Sequence, residues 1–340
     1  GELFNNKNRS PLSFALQREI KLNLENKSKT ILFLNRRGYS TFVSCRECGY
    51  VVTCPECSIA LTYHKKNDNL LRHYCGYTTE NINTCPECSS KYVKYFGTGT
   101  QKIEEELKRL FPDAVTMRMD FDTTSGKGGH EKVLEEFAKN GDILLGTQMV
   151  TKGLDFRDVT LVGILAADTT LCMDDFRAAE RSFSLFTQVC GRAGRGEIPG
   201  RAVIQTYQPF NSIIKYASMQ NYELFYDEEI KSRKRLYYPP FCQIVCIMVT
   251  GEDKSKTSAR IDEVGKIIKT FSKNYDGRID VIEPQPAPIN KIKNQYRFRI
   301  VLKIDNVDNL NDVLEGLKEK YSNDKNGIYL SIDINPVNMY

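Results

Sequence analysis

Hydrophobic and polar positions follow two periods along this chain. Over 11–26 (PLSFALQREIKLNLEN) apolar residues fall at helical spacing with Pro11 near the start. Ile31-Leu32-Phe33-Leu34 then forms an unbroken apolar run that predicts a buried strand. Between 45 and 88 the periodicity stops, and Cys, Pro, Gly, Tyr and Asn dominate. Beyond it the spacing predicts helices over 100–110 and 131–139, and strands over 115–119, 143–145, 159–165 and 202–206. Strands that alternate with helices in this way predict an α/β fold with a mostly parallel, doubly wound sheet, here interrupted by a cysteine-rich insertion.

A second unit begins near 230. Lys231-Ser-Arg-Lys-Arg235 runs into Tyr237-Tyr238-Pro239-Pro240-Phe241, where the prolines prevent a helix from continuing. The pattern then predicts a strand over 243–250, a helix over 256–272, a strand over 279–282 and a proline-rich bend over 284–288. A strand over 296–304, a helix over 307–321 and a strand over 329–334 follow. The order β-α-β-β-α-β is that of a split ferredoxin-like α+β domain. The expected organisation is therefore a discontinuous lobe (1–44 and 89–228), an insertion (45–88) and a C-terminal domain (229–340).

Composition narrows the class. A length of 340 residues suits about two domains. With 41% hydrophobic and 27% charged residues the chain has the make-up of a globular protein that buries a sizeable core. No apolar run reaches the roughly 18 residues of a membrane span, and GELFNNKNRSPLSF lacks the pattern of a signal peptide. A cytoplasmic location with no membrane partner is expected. The chain opens on Gly1 rather than Met, as a fragment or processed product would. The net charge of +5 permits a polyanionic partner without demanding one.

The cysteines change the picture most. Seven of 11 lie in the series Cys45-x2-Cys48-x5-Cys54-x2-Cys57-x17-Cys75-x9-Cys85-x2-Cys88. Two thiolates separated by two residues can face one ion from a tight turn, and a tetrahedral Zn–S4 centre needs two such pairs. Gly49, Pro55, Gly76 and Pro86 supply turn residues beside them. Seven sulfurs fill one site and leave three ligands for a second; His73, two residues before Cys75, is the first nitrogen candidate for the eighth, ahead of His64. Closed thiolate sites leave no open coordination position, so these ions read as structural staples for a segment without a core. Cys172, Cys190, Cys242 and Cys246 stand alone and read as small buried hydrophobes.

Several segments carry chemistry in combination. Leu34-Asn35-Arg36-Arg37-Gly38-Tyr39 follows the first strand. Phe96-Gly97-Thr98-Gly99-Thr100-Gln101 opens a helix, an N-terminus suited to a phosphate. Leu144-Leu145-Gly146-Thr147-Gln148-Met149-Val150-Thr151-Lys152-Gly153-Leu154-Asp155-Phe156 follows another strand, and Gln188-Val189-Cys190-Gly191-Arg192-Ala193-Gly194-Arg195 ends a helix. Two arginines three apart can point at one γ-phosphate and stabilise its transition-state charge.

With the cysteine insertion, ADTTLCMDDFRAAERSF and YYPPF, these segments resemble the second RecA-like lobe of a superfamily 2 DNA helicase. More closely, they resemble the primosomal replication-restart helicases over essentially the whole chain. The resemblance implies an ATP-dependent 3′-to-5′ DNA helicase acting at stalled forks. It implies Arg192 and Arg195 as arginine fingers, with Gln188 near the nucleotide. Thr147, Gln148, Lys152, Gly153 and Asp155 would couple nucleotide to DNA. It implies two zinc ions, one on Cys45, Cys48, Cys85 and Cys88, the other served by Cys54, Cys57 and Cys75. Where the family has a cysteine three before Cys75, Arg72 stands here, and arginine keeps its proton and cannot ligate. His73, water, or loss of that ion are the remaining outcomes.

No G-x-x-x-x-G-K-[ST] or D-E-x-H motif occurs in the chain. Ser125-Gly126-Lys127-Gly128-Gly129 lacks the first glycine and the hydroxyl residue, and reads as a loop. ATP and Mg are therefore expected only with a first lobe, and the chain alone is expected not to hydrolyse ATP. Lys231, Arg233, Lys234 and Arg235, and Lys291, Lys293, Arg297, Arg299 and Lys303 with Tyr296 and Phe298, are candidates for single-stranded or forked DNA, or equally a solvated strand face. The family's last domain also implies single-strand-binding protein and other primosome proteins as partners. A non-catalytic zinc-binding nucleic-acid or protein adaptor, and a redox thiol protein, are the other classes open.

Overall fold

A computed structural model describes residues 8, 10–34, 42–55, 60–64, 68–71, 77–95, 100–119, 129–147, 156, 158–173, 175–194, 199–275, 278–305, 307, 310–321 and 327–337. They group into two compact units. The first comprises Gly1–Val52, Ile82–Met173 and Arg177–Tyr226; the second comprises Thr53–Asn81, Asp174–Phe176 and Asp227–Tyr340.

In the first unit α1 (Phe14–Glu25) leads into β1 (Lys29–Leu34). The short ladder of β2 (Val43–Cys45) and β6 (Val93–Tyr95) brackets the insertion, whose strands β3 (Thr62–His64), β4 (Asn69–Leu71) and β5 (Thr78–Glu80) form a small antiparallel sheet that belongs to the second unit. Then come α2 (Thr100–Leu110), β7 (Thr116–Met119), α3 (Gly129–Asn140), β8 (Ile143–Gly146), β9 (Val159–Leu165), α4 (Asp168–Leu171), α5 (Ala178–Cys190), β10 (Arg201–Ile204), α6 (Ser212–Ser218) and α7 (Tyr222–Arg235), of which the residues from Asp227 on belong to the second unit. The five-stranded sheet has the order β10-β9-β1-β8-β7, with every pairing parallel. This is the expected α/β fold, a RecA-like parallel sheet.

The apolar runs are unbroken because both faces of the sheet are covered. Ile31, Phe33, Leu144, Val162 and Ile164 bury on one side with Phe137, Phe186 and Val189. Leu32, Leu34, Ile143, Leu145, Leu161 and Leu165 bury on the other with Leu16, Ile20, Ile103 and Leu107. Each such side chain contributes roughly 1.5–3 kcal/mol of burial. Gly163, in mid-strand, is required by this packing, since a Cβ there would lie 2.6 Å from Leu32 Cδ2.

Lys29 closes the start of β1. Its ammonium donates to the carbonyls of Phe137, Ala138 and Gly141 at 2.6, 2.9 and 3.0 Å, capping the C-terminal end of α3. Opposite charge against the helix dipole and three satisfied carbonyls both favour that end.

The second unit contains β11 (Gln243–Gly251), α8 (Lys254–Ser272), β12 (Ile279–Ile292), β13 (Gln295–Ile304), α9 (Leu310–Tyr321) and β14 (Tyr329–Ile334). Its antiparallel sheet has the order β12-β13-β11-β14, so the split ferredoxin-like arrangement is present. One face buries Val245, Ile247, Ile300 and Leu302 against Ile261, Val264, Leu314 and Leu317 of the helices. The other buries Ile244, Cys246 and Val301 with Tyr238 and Phe176. The proline-rich stretch over 284–288 differs from the expected bend, because β12 continues through it to Ile292. It is an edge strand with register shifts between Ile282 and Gln285 and between Pro286 and Lys291, and an edge tolerates residues that cannot donate to a ladder. Among the described residues no helix is long and apolar enough to cross a membrane.

Lys29→Met, which keeps the stem and removes the cap, is expected to lower stability by about 1–2 kcal/mol. The urea midpoint followed by circular dichroism checks this, and an unchanged midpoint would show the cap to be idle.

Candidate functional site

Two knuckles of the same build face each other at the β2–β6 ladder. In the first, Cys45 N–H donates to Tyr50 O (2.8 Å), Gly49 N–H to Cys45 O (3.1 Å) and Glu47 N–H to Cys45 Sγ (3.4 Å). In the second, Cys85 N–H donates to Ser90 O and Ser89 N–H to Cys85 O, both at 2.9 Å. Gly49 and Ser89 take positive φ, 81° and 57°, to close the turns.

The four sulfurs of Cys45, Cys48, Cys85 and Cys88 lie within 4.8 Å of one another. Cys45–Cys88 and Cys48–Cys85 are each 3.6 Å apart. Zn–S bonds of about 2.3 Å in a tetrahedron require S···S separations of about 3.8 Å, so these thiols fit a structural zinc ion. The four groups compete for charge. Burial opposes ionisation of Cys45, yet the amides of Cys48 and Glu47 and the neighbouring thiols bring it down to about 7. For Cys88 the Ser90 amide favours the thiolate, but burial and the thiols of Cys48, Cys45 and Cys85 outweigh it and push it up to about 12. A divalent cation resolves that conflict by binding all four as thiolates. Of the ligands expected for a second ion, Cys54 is fully buried. Cys57, Cys75, His73 and Arg72 lie outside the described residues, as does the side chain of His64.

The candidate nucleotide segments adjoin the ends of β8 and β9. Thr147 follows β8, its amide donating to Met119 O at 3.3 Å. Gln148, Lys152, Gly153 and Asp155 lie outside the described residues, as do 35–40 and 96–99. The chain re-enters at Phe156, packed edge-on against Phe137 at 5.2 Å, and β9 starts three residues later. In α5, Phe186 and Val189 bury into the core while Gln188 is exposed. The turn after α5 carries Arg192, half-buried, and is closed by Arg192 N–H to Val189 O at 3.0 Å. Gly194, at φ 76°, donates its N–H to Val159 O at 3.1 Å. The turn after α5 is therefore bonded to the first residue of β9, three residues from Phe156. Arg195 lies outside the described residues.

Beyond the C-terminal ends of β9 and β10 lies a group that sequence reasoning passes over. Asp168 is 1% exposed. It accepts from Tyr207 N–H (3.0 Å to Oδ2) and Thr206 Oγ1 (2.9 Å to Oδ1). Burial raises its pKa, against those hydrogen bonds and the charge of Arg46. Arg46, between the first two zinc ligands, lies 4.8 Å over the Tyr207 ring. Gly49 lies against the same residue: a Cβ there would overlap the Tyr207 carbonyl.

The C-terminal basic clusters divide. Arg299 is fully buried, and Arg297 donates to Met248 Sδ and Ile289 O. Lys303 donates to Leu236 O at 3.0 Å and lies 4.1 Å over Tyr238. Arg233 pairs with Glu229 at 2.7 Å and lies over Phe176. These four hold the second unit together, whereas Lys231, Lys234, Arg235, Lys291 and Lys293 are exposed. The single cysteines stay protonated: burial pushes Cys190 and Cys242 up to about 11, and raises Cys172 and Cys246 as well. That is the opposite of what a reactive thiol requires.

Comparison with known proteins adds three family matches. The helicase conserved C-terminal domain matches residues 88–197, the PriA DNA helicase Cys-rich region 54–79, and the Primosomal protein N C-terminal domain 234–337. The chain is 43% identical over 341 residues to "Replication restart protein PriA" of Bacillus subtilis (strain 168), covering 99% of this chain and 42% of that protein. It is 41% identical over 337 residues to the protein of the same name from Synechocystis, covering 98% and 40%. For that of Borreliella burgdorferi the figures are 36% over 331 residues, 97% and 49%. The chain thus spans less than half the length of these curated relatives.

Replacing Cys48 or Cys85 with Ser is expected to remove one equivalent of zinc per chain, read by elemental analysis, and to lower the melting temperature. Zinc content equal to that of the unaltered protein would show that the metal lies elsewhere.

Proposed function

This chain belongs to the PriA family of replication restart proteins, and from that premise we propose that it supplies the second motor lobe, the zinc-binding insertion and the C-terminal domain of an ATP-dependent 3′-to-5′ DNA helicase. In this reading ATP and Mg bind where a first lobe closes on this one. Arg192 and Arg195 reach the γ-phosphate, Gln188 stands beside the nucleotide, and Lys152, Gly153 and Asp155 line the same gap. Gln148 lines it too, and together with Thr147 these residues couple nucleotide to DNA. The division into 1–44 with 89–228, 45–88 and 229–340 would then be one of roles: motor, strand-separation element and DNA or partner platform.

One observation carries the reading. The Gly194 amide bonds to Val159 O, so the arginine-bearing turn is held at the strand that the Lys152–Asp155 segment leads into. The turn after α5 is thereby held at the N-terminal end of β9, the strand that follows the Lys152–Asp155 segment in sequence. Fixed guanidinium charge at that end of the sheet suits phosphoryl transfer, where catalysis is positioning and charge stabilisation rather than covalent chemistry. Exposed Lys231, Lys234, Arg235, Lys291 and Lys293 are the residues left to meet DNA phosphates, single-stranded or forked. They also suit the acidic tail of single-strand-binding protein; other primosome proteins complete the partner set. A second zinc ion would use Cys54, Cys57 and Cys75 with His73.

The chain alone is expected to show no DNA-stimulated ATP hydrolysis. In a protein of the relatives' full length, Arg192→Ala or Arg195→Ala is expected to lower kcat by about 10³-fold or more. Hydrolysis by the chain alone, or near-normal kcat in both variants, would overturn the assignment. Affinity for fluorescent single-stranded DNA should fall as salt rises, each lost phosphate contact flattening the log–log slope by about 0.7. Affinity that stays flat with salt would argue against phosphate contacts.

A further inference from the structure

Tyr207 lies 39 residues beyond Asp168 and far from any cysteine of the metal series in sequence, yet it touches both groups. Its amide donates to the buried Asp168 carboxylate, which also accepts from Thr206. Its ring lies under the Arg46 guanidinium at 4.8 Å. Its carbonyl abuts Gly49 so closely that no side chain fits between them. Arg46 and Gly49 belong to the Cys45–Cys48 knuckle, and the Arg46 amide is in turn held by Tyr92 O at 2.9 Å, just ahead of β6. Asp168 opens α4 directly after β9, and Thr206 and Tyr207 follow β10.

We infer that the first knuckle and the C-terminal edge of the parallel sheet form one cooperative unit, clamped through Tyr207, so that metal at Cys45, Cys48, Cys85 and Cys88 orders the segment after β10. The inference rests on reading those thiols as a metal site. Without an ion the turn rests on hydrogen bonds such as Gly49 N–H to Cys45 O and Glu47 N–H to Cys45 Sγ. With an ion the Cys45–Gly49 turn becomes rigid, and a rigid turn presents Gly49 and Arg46 to Tyr207 without further loss of backbone freedom. Coupling of this kind is reciprocal: what metal does for Tyr207, Tyr207 does for metal. Arg46, Gly49 and Tyr207 are positioning residues, outside the ligand set.

The test uses the full chain loaded with zinc. Release to a colorimetric chelator is compared for the unaltered protein, Arg46→Gln, Tyr207→Leu and the control Lys132→Gln on α3. Loss of the clamp is expected to speed release by about tenfold, in the range of other changes just outside a ligand shell, with the control unchanged. Amide exchange at Tyr207 is read in parallel and should quicken several-fold once metal is stripped. Arg46→Gln alters a half-buried charge without emptying the core, so it decides the matter even where Tyr207→Leu does not fold. Equal release rates together with Tyr207 exchange indifferent to metal would overturn the clamp while leaving the metal site standing. A chain that takes up no zinc at these thiols would overturn both.

Discussion

Double-sided burial of the parallel strands is the constraint from which the rest of this molecule follows. β1 gives Ile31 and Phe33 to one apolar layer and Leu32 and Leu34 to the other. β8 and β9 do the same on either side of it. A one-residue slip in any of them would exchange the two layers, so the register is strongly specified. A sheet held this rigidly offers two fixed ends to its parallel strands. The turn after α5 is bonded at the N-terminal end, at Val159, and the first cysteine knuckle rests at the C-terminal end, on Tyr207.

The insertion obeys a different economy. Its strands are three residues long and its polar content is high, so hydrophobic burial alone gives it little. Four sulfurs spaced for a tetrahedral ion take over the task that a core performs elsewhere. The seat on Tyr207 is as demanding as the ligand geometry, since Gly49 tolerates no Cβ there. Asp168 is buried for a related reason: a carboxylate is costly to bury, and here two donors at the end of β10 offset the cost by being held in place.

Much of the fold is legible in the amino-acid order because burial on both faces leaves an unambiguous mark. The run over 159–165, buried on both faces, coincides with β9, while the pattern over 329–334 and the helical spacing over 100–110 coincide with the edge strand β14 and with α2, which bury one face at most. Where one rule yields to another, legibility fails. Prolines over 284–288 signal a bend, but at a sheet edge their missing donors are tolerated and β12 runs on. α7 is polar nearly all round, with Phe225 its one buried residue, so its period is faint. Arg299 sits among exposed-looking charges, yet the second face of its sheet is covered by the Tyr238 and Phe176 rings, and the residue is buried. The Cys45/Cys48/Cys85/Cys88 cluster can be read from spacing because a metal ion imposes a strict local geometry. Asp168 and Tyr207 cannot, because nothing short-range marks a contact across 39 residues. Lys152, Asp155 and Arg195 carry their chemistry in the sequence alone, outside the described residues.

The account stands on the arginine-bearing turn and the Lys152–Asp155 segment sharing one nucleotide. The most direct measurement is a crystal structure of a protein of the relatives' full length, carrying these residues, with ADP and aluminium fluoride as a mimic of the transferring phosphoryl group. The account predicts the guanidinium groups of Arg192 and Arg195 within hydrogen-bond distance of the fluoride, with Gly153 and Asp155 against the same nucleotide. Guanidinium groups turned to solvent on the other edge of the sheet, with the fluoride satisfied by other residues, would contradict it.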